Sequence, residues 1–365
     1  MTAGRATIVA AVALLSAAGC AKSVFPPGGP IDKDAPRVIA TTPADSSVSV
    51  PVGAGVEMLF SESMDHASVR DAIKVFPPPP HPNVDWSGRR LRLTWGEPLA
   101  ENATYQVLLS GRARDAHGVP LGAAVAIRFS TGESLAPGRI SGVLRAKTLR
   151  RFGARVLIFP DSLGTRPDTT DFQPLYEAEA DTIGAYSFAA LGLETGYRVF
   201  AFFDRAGNGT YEEDQDVLAA WPTPIRLTPE RAVADSINIV AVDPRAPAIL
   251  SGNVVARDST ARYTVEARSE ADSTVSRRVD RVGPGPFTLR VPEGKYFLRA
   301  IRQPGLEGKP PRAEVRRPEA IDVKAEEEMG GFTFDFGAGA EGAPPPTPNP
   351  TPTPPDPDRP PGSKE

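Results

Sequence analysis

With 40 prolines, 33 glycines and four methionines in 365 residues, the chain suits strands joined by turns better than helical bundles. A formal charge of −4 and a pI near 5.6 leave no basic footprint, which argues against nucleic acid as a partner. Cys20 is the sole cysteine, so no internal disulfide can staple the chain and each folded unit must stand on its own core.

Residues 1–19 have the form of a secretory signal: Arg5, the apolar run Ala6–Leu15, then the small residues Ser16, Ala17, Ala18 and Gly19 before Cys20. The run is too short to span a bilayer core, which takes ~20 apolar residues. The stretch from Leu15 to Cys20 resembles the lipobox of bacterial lipoprotein precursors, with Ala17 where the usual aliphatic residue stands. The resemblance implies cleavage before Cys20 and a lipid on its sulfur, with acyl chains such as palmitate holding the protein on a membrane. At ~0.8 kcal/mol per buried CH₂, several acyl chains make a durable anchor. Ala21 and Lys22 follow, with no Asp beside the cysteine, which by resemblance to enterobacterial sorting points to the outer membrane, periplasmic or surface-facing.

Residues 20–34 have too little apolar content to fold alone and form a tether. From 35 to 133 the pattern has period two. Val56, Met58 and Phe60 alternate with other side chains, as do Leu91, Leu93 and Trp95, then Tyr105, Val107 and Leu109, then Val125, Ile127 and Phe129. Short runs of this kind bounded by Gly, Pro, Asn or Asp predict half-buried antiparallel strands, which two packed sheets bury economically. The segments Pro36–Asp45, Phe60–Asp65, Leu99–Tyr105, Arg114–Gly118 and Phe129–Gly132 together resemble an SbsA-type bacterial Ig-like domain. That family is a structural module of cell-surface proteins and brings no catalytic residues.

Two further units share an outline. Residues 138–243 contain Ile140–Leu144, Ala154–Phe159, Gly184–Phe188 and Leu193–Phe203. Residues 247–336 contain Leu250–Val255, Tyr263–Ala267, Phe287–Val291 and Pro292–Ile301. Both resemble the carboxypeptidase-regulatory-like, transthyretin-like (prealbumin-like) β-sandwich, an accessory fold without peptidase chemistry. The expected fold class is therefore all-β, three antiparallel sandwiches in tandem. Residues 337–365, dominated by Pro344–Pro357, have the composition of a disordered tail of polyproline II character.

Chemistry is sparse. His66, His81 and His117 share no metal-ligand spacing and read as turn or surface histidines. No nucleophile elbow, phosphate loop or zinc-protease motif occurs, so no enzyme activity is expected. One constellation stands apart, Asp204-Arg-Ala-Gly-Asn208-Gly209-Thr-Tyr-Glu212-Glu213-Asp214-Gln-Asp216. Asp204, Asn208, Gly209 and Glu212 fit positions one, five, six and nine of a Ca²⁺ loop, while Ala206 and Gln215 fail at positions three and twelve. Asp214 or Asp216 could supply the missing oxygens; the alternative is a tight Asn208-Gly209 turn with solvated acids. The third unit has Arg302-Gln-Pro-Gly at this place. The leading expectation is a non-enzymatic envelope lipoprotein that scaffolds, spaces or binds an envelope protein. The alternative is a glycan or peptidoglycan binder using Trp86, Trp95 or Trp221.

Overall fold

A computed structural model of the chain describes residues 32–163, 173–303 and 312–337. Cys20, the signal segment and the proline-rich tail beyond residue 337 lie outside the described residues. Among those described, no helix is long and apolar enough to cross a membrane.

The first unit comprises β1 (Val38–Thr42), β2 (Val56–Phe60), helix α1 (His66–Ala72), β3 (Ile73–Phe76), β4 (Pro82–Ser87), β5 (Arg90–Trp95), β6 (Thr104–Leu109) and β7 (Val125–Ser130). One sheet has the order β1-β2-β5-β4 and the other β3-β6-β7. Alternation places Val56, Met58, Phe60, Leu91 and Leu93 in a common core with Val107, Ile127 and Phe129, while Arg90 and Arg92 face water. Helix α1 departs from the all-strand expectation. Asp65 caps it by accepting the Ala67 N–H at 3.1 Å, and it buries only Val69 and Ala72. Strand β6 departs in another way, since Tyr105 to Leu109 are all buried. Its outer face lies against the second unit, where the Gln106 side chain donates to the Glu177 carbonyl at 2.9 Å.

The second unit comprises β8 (Gly138–Ala146), β9 (Arg155–Pro160), β10 (Tyr176–Glu179), β11 (Ala185–Leu191), β12 (Gly196–Phe203), β13 (Val217–Ala220), β14 (Ile225–Arg226), β15 (Val233–Ala234) and β16 (Ile239–Ala241). The third comprises β17 (Ala248–Val255), β18 (Arg262–Ser269), β19 (Ser276–Val282), β20 (Gly285–Val291), β21 (Gly294–Arg302), β22 (Ala313–Arg316), β23 (Ile321–Val323) and β24 (Glu328–Asp335).

Their topologies coincide. The larger sheet runs β10-β9-β12-β13 with β14 on β12, and again β19-β18-β21-β22 with β23 on β21. The smaller runs β11-β8 closed in parallel by β15 and β16, and again β20-β17 closed in parallel by β24. Between the two sheets of each unit lies a separate apolar core. Gly142 and Gly252 hold corresponding places where the closing strand breaks register. A Cβ there would stand 2.0 Å from the Ile237 carbonyl oxygen and 1.9 Å from that of Phe332, so both positions require glycine.

Candidate interdomain junction

The acidic stretch that reads either as a Ca²⁺ loop or as a tight turn connects β12 to β13, and its oxygens serve its own backbone. Asp204 Oδ1 accepts from Gly207 N at 2.6 Å and its Oδ2 from Gly209 N at 2.9 Å. Buried Asp216 accepts from Arg205 N at 2.7 Å and, through its other oxygen, from Glu212 N at 2.9 Å. Asn208 donates to Glu212 Oε1 at 2.9 Å, and Gln215 to Glu212 Oε2 at 2.6 Å. Asp204, Asn208, Glu212 and Asp216 are thus brought together in one hydrogen-bonded loop. The exposed Asp214 contributes its carbonyl oxygen, which accepts from Arg245. At the centre Tyr211 is buried, its ring edge-on to Phe202 at 6.2 Å. The loop thereby covers an outward-facing apolar patch of the larger sheet, formed by Leu157, Phe159, Phe200 and Phe202.

The same loop is tied to its surroundings on three sides. Arg112 of the first unit lies 3.8 Å from Asp204, Arg155 donates to the Gly209 carbonyl at 3.0 Å, and Arg205 pairs with Asp243 in the connection to the third unit. Beside it, Arg155 and Glu177 form a bidentate pair at 2.7 and 2.8 Å, with side chains 4% and 2% exposed. Lys74 of the first unit closes on the same carboxylate at 2.8 Å. Burial pushes the Glu177 carboxyl up, but the hydrogen bonds and charges of Arg155 and Lys74 outweigh it and hold the group below its ordinary value. Burial likewise pulls the Lys74 ammonium down, with repulsion from Arg155 working in the same direction against the attraction of Glu177. Glu179 adds a bond to the Ser110 hydroxyl and accepts from Gly111 N at 3.1 Å. Phe76 and Tyr176 meet at 6.4 Å across the same boundary.

Between the second and third units, Glu326 accepts from Asp243 N at 3.1 Å and from the Thr148 hydroxyl, and Lys147 pairs with Glu328. A cleft of about 510 Å³ opens at the junction, lined by Arg112, Arg114, Arg150, Arg155 and Arg205 with Glu179, Asp204 and Asp243 among others. Two ion pairs, Arg112 with Asp204 and Arg205 with Asp243, form between its lining residues, and Arg155 is held by Glu177 beside it.

The tryptophans take part in packing. Trp86 is half-buried, with His66 stacked on it at 4.2 Å and 7°, and Phe60 at 5.9 Å. Trp95 donates to the Ala54 carbonyl at 2.8 Å, and Trp221 packs against the second core. Lys74, Arg155 and Glu177 were not singled out from sequence. The signal available was a charge in each of three short strands, second in β3 and β10 and first in β9, which without the fold is indistinguishable from a solvated edge.

Residues 32–131 match the family model of the bacterial Ig-like domain. No curated protein matches the chain. Among solved structures the chain is similar to a candidate cell adhesion protein from Bacteroides ovatus, at 8% identity and a TM-score of 0.30, over 56% of this chain and 93% of that one. It is also similar to an L,D-transpeptidase from Mycobacterium smegmatis, at 12% identity and a TM-score of 0.21, over 57% and 90%. The N-terminal part of a bacterial S-layer protein gives 13% identity and a TM-score of 0.21, over 55% of this chain and 45% of that one. Likeness this loose carries no argument about function.

Proposed function

We propose that the protein is a non-enzymatic lipoprotein of the bacterial cell envelope, anchored through Cys20, whose three sandwiches act as a jointed but stiffened spacer. The observation that carries this reading is the junction, where Lys74, Arg155, Glu177 and the Asp204–Asp216 loop link the modules through buried charge and backbone hydrogen bonds. Interfaces between domains of one chain are ordinarily small and permissive of motion. Lys74 and Gln106 of the first unit both bond to Glu177, whose buried partner Arg155 belongs to its own unit, so separation of the modules takes from Glu177 one of its two cations and a hydrogen bond to its carbonyl. In this reading the acidic loop is a tie between modules, its carboxylates already engaged by N–H groups. The Ig-like match at residues 32–131 is compatible with a structural role.

Two measurements test it. Membrane fractions should hold the protein with an acylated Cys20 peptide by mass spectrometry, while Cys20→Ser should move it to the soluble fraction. With spin labels at Ser87 and Thr288 in the Cys20→Ser background, a narrow distance distribution is expected. A broad one in the otherwise unaltered chain would sink the stiff-spacer part, leaving the anchor to stand on the fractionation.

A further inference from the structure

Four side chains that the junction does not use converge on the first unit. Asp32, Glu62, Asp115 and His117 each offer one ligand atom, and those atoms all lie within 4.8 Å of one another. The fold explains why. Glu62 sits in the bend after β2, and an isolated bridge between Met64 and Asp115 lays that bend against the turn that carries His117. Asp65 N donates to the Arg114 carbonyl at 3.0 Å and Ala116 N to that of Ser63 at 2.9 Å, which fixes the two loops together. Asp32, near the start of the described chain, reaches the same point, with its Oδ2 3.3 Å from His117 Nδ1.

Asp115 is the unusual member. Its Oδ1 accepts from His117 N and Val119 N, each at 2.8 Å, so the carboxyl is held in a fixed orientation. The residue is 1% exposed, and its Oδ2 is buried with no hydrogen-bond partner. An unpartnered buried carboxylate oxygen is costly, and two more carboxylates beside it add like-charge repulsion. Among the described residues no Lys or Arg forms an ion pair with Asp32, Glu62 or Asp115. Among the described residues, no lysine or arginine therefore supplies the compensating positive charge.

We infer that Asp32, Glu62, Asp115 and His117 form a binding site for a divalent metal ion of the Zn²⁺ or Mn²⁺ kind. Three carboxylates more than neutralise a divalent ion, and the ion occupies the open lone pairs of Asp115 Oδ2. The imidazole decides the class of ion, since Ca²⁺ takes oxygen ligands whereas Zn²⁺ and Mn²⁺ accept nitrogen beside carboxylate. The 3.3 Å between His117 and Asp32 already matches the edge of ~3.4 Å expected for a tetrahedron with bonds of ~2.1 Å. Asp32, Glu62 and His117 are half-buried or exposed and can close the remaining distance, whereas Asp115 is the fixed point. Such an ion would clamp the segment entering the first sandwich onto the two loops at its end.

The test uses the full chain carrying Cys20→Ser, so that no thiol competes, stripped of metal and titrated calorimetrically with ZnCl₂, MnCl₂ and CaCl₂. About one equivalent of Zn²⁺ or Mn²⁺ should bind, with Ca²⁺ much weaker. His117→Gln and Glu62→Gln should each weaken binding by about tenfold or more, and Asp214→Asn in the acidic loop should leave it unchanged. Asp115→Asn is a poorer probe, because Asp115 also holds its turn. No binding of either ion at millimolar concentration, binding that survives both substitutions, or a preference for Ca²⁺ would overturn the assignment.

Discussion

The second and third sandwiches share a topology strand for strand and yet cover the outer face of the larger sheet by opposite chemistry. In the second, Leu157 of β9 stands between Phe200 and Glu177; in the third, the corresponding Glu266 of β18 stands between Arg299 and Arg278. The second unit presents a greasy face, Leu157, Phe159, Phe200 and Phe202, and buries it under the loop that carries Tyr211. The third presents a ladder of charges. Glu266 is 0% exposed and is roofed by Arg278 at 2.8 Å and by Arg299, whose own side chains are 59% and 20% exposed. The inner core residues correspond closely, Tyr197 with Tyr296 and Ala201 with Ala300. The fold is therefore set by the inward face, while the outward face is free to specialise: one unit is built to be covered and the other to meet water.

The sharpest way to break this contrast is Glu177→Ala. It strands Arg155, which is 4% exposed, and should cost about 3–5 kcal/mol. The expected signature is a lower urea midpoint for the second sandwich, together with faster hydrogen exchange in β9 and β10. An effect no larger than that of an exposed pair would show that the junction is wet. Tyr211→Ala comes next, at about 3 kcal/mol by analogy with aromatic truncations in cores. It should also raise binding of an apolar dye, since it uncovers Phe202 and its neighbours.

The smallest effects concern salt and acid. Burial pushes both Glu177 and Glu266 up, but Arg155 and Lys74 in one case, and Arg299 and Arg278 in the other, hold them below the ordinary 4.5. A carboxylate with a depressed folded value contributes stability above its unfolded value and loses it as pH falls through the folded one. Both units should therefore loosen only below pH 4.5. Salt should separate them. At 1 M, where screening acts over ~3 Å, the half-exposed arginine roof of the third unit should weaken and the enclosed pair of the second should not. Exchange rates of β18 and β9 amides, with and without salt, measure this.

The difference between these faces is written in the sequence, although only part of it is readable there. Strict alternation in β2 and β5 marks the first core directly, and the shared outline of the later units shows in the succession of their apolar segments, Ile140–Leu144 to Leu193–Phe203 and Leu250–Val255 to Pro292–Ile301. Consecutive apolar residues in β9 and at the end of β12 signal burial on both faces, whereas β18 interleaves Thr264, Glu266 and Arg268 with its core side chains. What covers a two-sided strand is not local information. The double burial of β6 depends on a neighbour some seventy residues away, through the 2.9 Å bond from Gln106 to Glu177. The acidic loop was legible as a turn rich in oxygens, but not that its carboxylates would be engaged by its own amides. The meeting of Asp32, Glu62, Asp115 and His117 is equally invisible in a one-dimensional search, because only Asp115 and His117 are close in the chain.

The parallel closing strands impose an order on assembly. During synthesis from the N-terminus, β8 keeps a bare edge until Val233–Ala241 has been made, and β17 keeps one until Glu328–Asp335 follows. Each later module is thus a latch whose tongue arrives last. Until then it offers the row of unpaired amides and carbonyls that invites pairing with another chain. A nascent or truncated chain ending before β24 would carry two finished sandwiches and one open seam, and self-association would begin at that seam.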